Sequence, residues 1–200
     1  MLAPEFIIIV VVLLCIIFGM NLKIIREHEA MIIERFGRLN RVLYQGVHFL
    51  IPFLDAPRNY NMTIKQVGLD GKVYNKLVST PIVSLKEMLW DSSGENAITD
   101  DGETISFNIL LYYQIVNPVK AVYMVENLFD AVGNVTLATL KKYVSGYKAE
   151  EVYNSADFIQ NILKDTIQLK TEDWGIDIKK VELSNLVPNS SEENFYVSNQ

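Results

Sequence analysis

The sequence predicts an α+β fold behind an N-terminal membrane anchor, and three observations support this. Residues 6–20 form an uninterrupted apolar run. Residues 23–116 contain short alternating apolar and polar segments separated by turn residues, which indicate strands. Residues 117–188 show mainly the apolar spacing of helices before one last strand. We therefore expect a mostly antiparallel sheet over 23–116 and a helix-rich part with a closing strand over 117–188.

The composition excludes several classes of protein. The 200 residues fit one domain, or one domain with a small partner. The net charge is −6 and there is no basic tract, which argues against a nucleic-acid-binding protein. Six Lys and Arg against four Asp and Glu give residues 21–62 a charge of +2, which weakly favours an anionic lipid surface. The single Cys15 allows no intrachain disulfide and no Cys-rich metal site.

The N-terminal segment 1–22 is predicted to be an uncleaved, single-pass anchor. A helix of seventeen residues extends roughly 26 Å, which nearly spans a hydrocarbon core of about 30 Å. A signal peptide would begin with basic residues, whereas Glu5 precedes this run, so an uncleaved segment is expected. No proline lies within the run to bend it, so a spanning helix is favoured over a hairpin. The residues predicted to lie in the membrane are Phe6, Ile7, Ile8, Ile9, Val10, Val11, Val12, Leu13, Leu14, Cys15, Ile16, Ile17 and Phe18.

Charges around this segment predict its orientation. Lys23, Arg26, Arg35, Arg38 and Arg41 follow the apolar run, and no Lys or Arg precedes it. The positive-inside rule then places the C-terminal body in the cytoplasm.

Residues 24–55 begin the predicted sheet. A strand is expected over Ala30–Phe36, closed by Gly37. The run from Val47 to Leu54 is more apolar than a strand requires, and Pro52 marks a strand exit. Its residues are expected to be either core or membrane interface, and the pattern alone favours core. The interface candidates are Val47, Phe49, Leu50, Ile51 and Phe53.

The next segments contain two turn signals. Asp70-Gly71 predicts a hairpin whose return strand is Val73–Val78. Residues 79–96 have no clear period and are expected to form a packed surface loop. The alternative is a partner contact through Met88, Leu89 and Trp90.

A turn at Asp100-Asp101-Gly102 precedes the clearest strand. The spacing of its carboxylates does not match a Ca²⁺ loop, so no metal is expected. In the strand that follows, one buried face is predicted from the period of two. This face consists of Ile105, Phe107, Ile109, Leu111, Tyr113 and Ile115.

Helical spacing then predicts three helices and a final strand. A short helix is expected over Val119–Asn127 and a longer one over Asn127–Gly146, followed by a third capped by Asn154 or Ser155. The predicted buried face of the third helix consists of Phe158, Ile159, Ile162, Leu163 and Ile167. The closing strand is expected over Ile176–Leu186, with a bulge at Lys179-Lys180.

The sequence offers no pattern that indicates catalysis. There are two histidines, His28 and His48, and no nucleophile, phosphate-loop, dinucleotide or zinc-protease motif. We therefore expect a protein that is not an enzyme, with no catalytic residue, cofactor or metal.

Three blocks of residues resemble the stomatin/prohibitin-type domain known as the SPFH or band 7 domain. The first block is Glu27-x-Glu29-Ala30 and Ile33-Glu34-Arg35-Phe36-Gly37 with Gly46-x-His48-Phe49-x-Ile51-Pro52-Phe53-x-Asp55. The second runs from Thr99-Asp100-Asp101-Gly102 to Asn117-Pro118, and the third joins Trp174-Gly175-Ile176 to Pro188. Against this family, residues 79–96 resemble an insertion of about a dozen residues. Residues 189–200 are expected to begin a C-terminal helix without the family's coiled coil.

The resemblance implies a function. Such proteins are membrane scaffolds that assemble laterally into rings or cages, organise lipid microdomains and regulate membrane proteases, channels or transporters. The expected partners are membrane lipids and further copies of the chain, with no nucleic acid. The alternative is a single-anchor adaptor that binds one membrane partner through residues 79–96.

Overall fold

The computed structural model describes residues 12, 19, 21–68, 71 and 73–188. It confirms an α+β fold of sheets with few helices. The strands are β1 (Leu22–Ile25), β2 (Glu29–Arg35), β3 (Arg38–Leu43), β4 (Gly46–Phe49), β5 (Asp55–Pro57), β6 (Tyr60–Val67), β7 (Val73–Thr80), β8 (Ile82–Ser84), β9 (Glu87–Ile98), β10 (Thr104–Ile115) and β11 (Ile176–Pro188). The helices are α1 (Pro118–Tyr123), α2 (Leu128–Val144), α3 (Ala149–Asn154) and α4 (Ala156–Thr171), with a 3₁₀ turn at Glu172–Trp174.

The chain divides into two compact units, Met1–Lys86 and Glu87–Gln200. This boundary lies before the division that the sequence predicts at 116/117. The reason is strand pairing: β10 pairs with both β9 and β11, so it belongs to the same unit as the helices.

Unit 1 is built around β2. This strand pairs with β3 on one side and with β5 and β8 on the other. β1 pairs with β4, and β6 with β7. The predicted first strand is confirmed, and so is the pairing of the return strand from Val73 with the strand before it. Asp70 of the predicted turn lies outside the described residues. The core cluster of this unit comprises Ile25, Met31, Ile33, Leu43 and Leu50.

Unit 2 is a three-stranded antiparallel sheet in the order β11-β10-β9, covered by helices. Burial alternates without exception along β10, which confirms the predicted face from Ile105 to Ile115. α2 packs against β9 and α4 against β11. The register skips Lys179 between the Tyr112 and Tyr113 pairs, which confirms the predicted bulge.

The expectation of a surface loop over 79–96 is wrong. Glu87–Ile98 forms β9, whose register follows β10 from Gln114 to Thr104. The sequence pattern failed here because β9 is an edge strand that buries only a few side chains, among them Trp90 and Ala97.

Three of the four helices follow the predicted order with shifted details, whereas the sequence pattern does not predict α3. The Asn117 side chain accepts hydrogen bonds from Val119 N and Lys120 N and so caps α1, which is shorter than predicted. In α4 the buried stripe is Ile159, Leu163, Ile167 and Thr171. The prediction that Phe158 is buried is wrong, because this residue lies one position off that stripe and is exposed.

Gly175 joins the helical layer to β11. Its φ of +68° is left-handed, and an added Cβ there would lie 2.6 Å from the Asn117 carbonyl oxygen. Its own carbonyl accepts hydrogen bonds from Val116 N and Asn117 N at 2.9 Å. Only glycine allows this close return of the chain to the start of α1.

Residues that determine the membrane prediction lie largely outside the described part of the chain. Of the residues predicted to lie in the membrane, only Val12 is described, and it is helical and exposed, as is Gly19 shortly after them. Among the described residues, no helix has the length and apolarity needed to span a bilayer. The predicted C-terminal helix over 189–200 also lies outside the described residues.

A glycine in α2 makes room for Trp90. Gly133 is buried, and a Cβ built on it would lie 2.4 Å from the indole Nε1 of Trp90 and 2.5 Å from Cε2. The helix therefore approaches β9 at a distance that no other residue permits at position 133.

We expect Gly133→Ala to destabilise the protein. Overpacking of this kind costs about 1–3 kcal/mol, which outweighs the gain of about 1 kcal/mol in helix propensity. The measurement is chemical denaturation of the full chain in detergent. The matched control is Gly146→Ala, where the nearest contact of the new Cβ is 3.5 Å. Equal effects of the two substitutions would contradict the packing argument, whereas a smaller penalty in a Trp90→Phe background would support it.

Candidate functional site

The β1–β4 pair carries an apolar face that unit 1 does not bury. In its register Leu22 lies opposite Phe49 and Ile24 opposite Val47, so these four side chains share one face. Ile24 is 76% exposed and Val47 67% exposed. Ile25 points the other way, into the core. The pair thus contributes Ile25 to the core and leaves its apolar face largely exposed within its unit.

The loop between β4 and β5 adds further exposed apolar side chains. Ile51, Phe53 and Leu54 are exposed, and Phe53 reaches 104% of its reference area. Two backbone hydrogen bonds to the Ile51 carbonyl, from Leu54 N and Asp55 N, close the loop into a tight turn. Phe53 stands at its tip with a φ of +67°, a left-handed conformation that is unusual for an aromatic residue.

The five interface candidates differ in their exposure to solvent. The core interpretation is wrong for Val47, Ile51 and Phe53, which are exposed. The interface interpretation is wrong for Leu50, which is 5% exposed and belongs to the core cluster. Its backbone N–H donates to the Asn21 carbonyl, which holds residue 50 against the start of β1. Phe49 is half-buried. We call Leu22, Ile24, Val47, Ile51, Phe53 and Leu54 the apolar surface.

A buried carboxylate holds this loop in place. The Asp55 side chain has no exposed area. Its Oδ1 accepts from Arg35 Nε at 3.0 Å and Nη2 at 2.8 Å, while its Oδ2 accepts from Ile51 N at 3.1 Å and Arg41 Nη2 at 3.3 Å. Arg41 Nη2 also donates to the Phe49 carbonyl at 2.7 Å. Asp55 therefore joins β2, β3, the end of β4 and the loop itself.

These contacts set the charge state of Asp55. Burial opposes ionisation and by itself would raise the pKa of this carboxyl. The Ile51 N–H, the hydrogen bonds from Arg35 and the charges of Arg35 and Arg41 outweigh burial and hold the pKa below its ordinary value of 3.8. The carboxylate is thus ionised at neutral pH and stabilises the loop through charge-assisted hydrogen bonds. Sequence reasoning quoted Asp55 in a family block but assigned it no role.

The partner-contact candidates do not form one surface. Trp90 is buried against α2, Met88 is half-buried and Leu89 is exposed. Trp90 therefore serves the packing of unit 2.

The acidic turn before β10 is structural. Asp101 Oδ1 accepts from Thr99 Oγ1 at 2.5 Å, and both carboxylate oxygens accept from Ala149 N at 3.3 Å. The Thr99 hydrogen bond is the main reason that the pKa of Asp101 lies below its ordinary value. Asp101 thus attaches the turn to the N-terminus of α3. In the described part of the chain, no group of His, Cys, Asp and Glu side chains is arranged to hold a metal ion.

A family model agrees with the blocks of resemblance. The model of the SPFH domain / Band 7 family matches residues 23–195, which cover nearly all of the two units. The chain belongs to this family.

Individual relatives are distant. An uncharacterised protein of Methanothermobacter thermautotrophicus is 26% identical over 181 residues, which are 90% of this chain and 49% of the relative. A stomatin homolog of Pyrococcus horikoshii is 27% identical over 178 residues, or 89% of this chain and 58% of the relative. A second stomatin homolog, from Pyrococcus abyssi, is 26% identical over the same span and share. The chain thus spans about half the length of these relatives.

We expect Asp55→Asn to lower the stability of the protein in a pH-dependent way. Hydrogen bonds to a charged group contribute about 1.5–3 kcal/mol. Because the folded-state pKa is lowered, this contribution is fully present above pH 3.8, the ordinary value, and disappears as the pH falls through the folded-state pKa. The measurement is the free energy of unfolding of both chains between pH 7 and pH 2.5.

The matched control for this experiment is Asp177→Asn. Asp177 pairs with Lys179 at 2.6 Å, but both side chains are exposed, so its loss is expected to change the stability by less than about 1 kcal/mol. A difference between the Asp55 variant and the native chain that stayed constant down to pH 2.5 would contradict the assigned charge state.

Proposed function

We propose that the protein is a single-pass membrane scaffold whose unit 1 lies against the bilayer through the apolar surface. Residues 6–20 anchor the chain, and the basic residues after them keep the body in the cytoplasm. Many copies assemble laterally into a ring or cage. The assembly organises a membrane microdomain and regulates membrane proteins such as proteases, channels or transporters.

The observation that carries this proposal is the position of the apolar surface. Leu22, its first residue, follows the apolar run by two residues in the sequence, so β1 begins close to the predicted membrane boundary. Proteins seldom expose a cluster of large apolar side chains unless a membrane or a partner covers it. The buried Asp55 network fixes the loop that presents Phe53, so the exposure is built into the fold.

The energetics favour interfacial contact. Burial of apolar area yields about 25 cal/mol per Å², so each large side chain that enters the interface contributes about 1.5–3 kcal/mol when it is fully covered. One short anchor and one such surface bind a membrane modestly. Copies linked in a closed assembly bind it far more strongly, because each bound copy raises the effective concentration of its neighbours at the membrane.

The alternative is an adaptor that binds one partner through residues 79–96 without a large assembly. Its contact would use Leu89, which is exposed on the edge strand β9, since Trp90 is buried and Met88 is half-buried.

We expect a tryptophan at position 53 to contact lipid. In the full chain reconstituted into vesicles, Phe53→Trp should add fluorescence that brominated phosphatidylcholine quenches strongly. Phe158→Trp, an exposed aromatic position on α4 of unit 2, is the matched control and should show little quenching. The native Trp90 and Trp174 give the same background in both variants. If the Phe53→Trp chain is quenched no more than the Phe158→Trp chain, the interface role of Phe53 is refuted.

We expect the full chain, extracted in mild detergent, to form a discrete particle of many copies. The measurement is particle mass by light scattering or native mass spectrometry. A monomer or dimer would exclude the lateral assembly for this chain and favour the adaptor.

A further inference from the structure

The turn between β2 and β3 has a composition that folding does not explain. Arg35 pairs with Arg38, so Phe36 and Gly37 form a two-residue hairpin loop. Both have positive φ, +51° and +74°. This loop type strongly prefers Asn-Gly or Asp-Gly, because left-handed backbone disfavours a bulky side chain. Phe36 is nevertheless 82% exposed, so it gains little burial in return.

The register places this turn at the same end of the sheet as the loop that presents Phe53. The C-terminal end of β2, at Arg35, lies opposite the first residue of β5, Asp55. The turn after Arg35 and the loop before Asp55 therefore leave the sheet at the same end of its strands. Two exposed phenylalanines, each in left-handed backbone, stand on neighbouring turns at this end. Strained, exposed residues of this kind indicate a function other than folding.

Cationic charge surrounds the hairpin turn. Arg35 lies directly opposite Arg38 on β3 and directly opposite Asp55 on β5, so the three side chains share one face of the sheet. Arg35 and Arg41 both bind the carboxylate of Asp55, so these three residues together with Arg38 carry an excess of two positive charges. Among the described residues, no carboxylate forms an ion pair with Arg38. Glu34, the nearest acid in the strand, pairs with Arg58 at 3.7 Å.

An open groove lies along the hairpin turn and the start of β3. Its volume is about 460 Å³, and its lining consists of Arg35, Phe36, Arg38, Leu39 and Asn40. This size falls within the range of about 300–1,000 Å³ of small-ligand sites. Guanidinium groups and an amide suit a phosphate, whereas Phe36 and the exposed Leu39 suit the apolar layer below it.

We propose that the β2–β3 hairpin turn is a binding site for the headgroup of an anionic phospholipid, with Phe36 inserted beside it. This inference rests on the membrane function proposed above. Arg38 binds the lipid phosphate, Arg35 remains fixed by Asp55, and Phe36 enters the interface together with Phe53. The overall charge agrees: residues 21–86 carry ten Lys and Arg against five Asp and Glu, whereas residues 87–188 carry eight against sixteen. A negatively charged bilayer therefore attracts unit 1 and repels unit 2.

The test measures lipid contact at position 36 in the full chain. Phe36→Trp is reconstituted into vesicles in which the bromine is carried either by phosphatidylcholine or, at 30 mol%, by phosphatidylglycerol. At 0.1 M salt the quenching per brominated lipid should be at least twofold greater for phosphatidylglycerol. The preference should disappear in Arg38→Gln, persist in part in Arg38→Lys, and weaken at 1 M salt, where the screening length falls from about 10 Å to about 3 Å.

The matched control is Lys76→Gln. Lys76 is an exposed cation on β7 of the same unit, so this variant changes the net charge equally and should retain the preference. Phe36→Asn tests the turn argument separately. It should leave the melting temperature unchanged or raise it, because Asn-Gly suits this loop, and a large fall would show that Phe36 serves folding.

The outcomes separate this site from the broader function. Strong quenching at position 53 with none at position 36 would overturn the headgroup site and leave the membrane surface intact. Equal quenching by both lipids would overturn the anionic preference. A fluorescence change of the Phe36→Trp chain on addition of inorganic phosphate in neutral detergent, without an anionic-lipid preference, would show a free-anion site in its place. Absence of quenching at both positions would refute the surface and the headgroup site together.

Discussion

The buried carboxylate of Asp55 is the interaction on which the proposed membrane-facing part of this protein depends. Its four hydrogen bonds come from two strands and from the loop that precedes β5. A carboxylate without solvent exposure is stable only because two guanidinium groups and a backbone N–H replace its water. The same contacts leave Ile51, Phe53 and Leu54 outside the core, so one polar network accounts for the presentation of an apolar tip. Asp55 binds Arg35 and Arg41, whereas Arg38 on the neighbouring turn forms no ion pair with a carboxylate of the described residues.

Unit 2 follows a different logic, in which apolar packing determines the geometry. β10 lies between β9 and β11 and buries every second side chain under α2 and α4. Two glycines permit the closest approaches, Gly133 under the indole of Trp90 and Gly175 against Asn117. Residues 87–188 carry twice as many acidic as basic side chains, so an anionic surface repels this unit. The two units therefore differ in what stabilises them and in the surroundings that their charges favour.

Two turns of unit 1 contain exposed phenylalanines in a strained backbone conformation that folding does not explain. Phe36 and Phe53 adopt left-handed backbone while exposed, so each costs conformational energy without the burial that would offset it. Both belong to the first block of family resemblance, together with Arg35 and Asp55. The family block thus contains both the network that holds the sheet edge and the side chains that this edge displays. A membrane surface gives a physical reason for that combination.

The sequence by itself determined the α+β class, the family, the strand β10 with its buried face, the bulge at Lys179 and the order of α1, α2 and α4. These features depend on local periodicity or on residues close together in the chain, which a sequence displays directly. Only the tertiary structure decided that residues 87–98 pair with β10, that Trp90 is core, and that Leu50 is buried while Phe53 is exposed. In each case the deciding contact joins residues far apart in the chain or on different elements, such as Trp90 with Gly133 or Asp55 with Arg35, and apolar character alone does not say which face a side chain meets. The function proposed for the β2–β3 turn rests on that arrangement, because neither Phe36 nor Arg38 is distinctive until its backbone, exposure and neighbours are known.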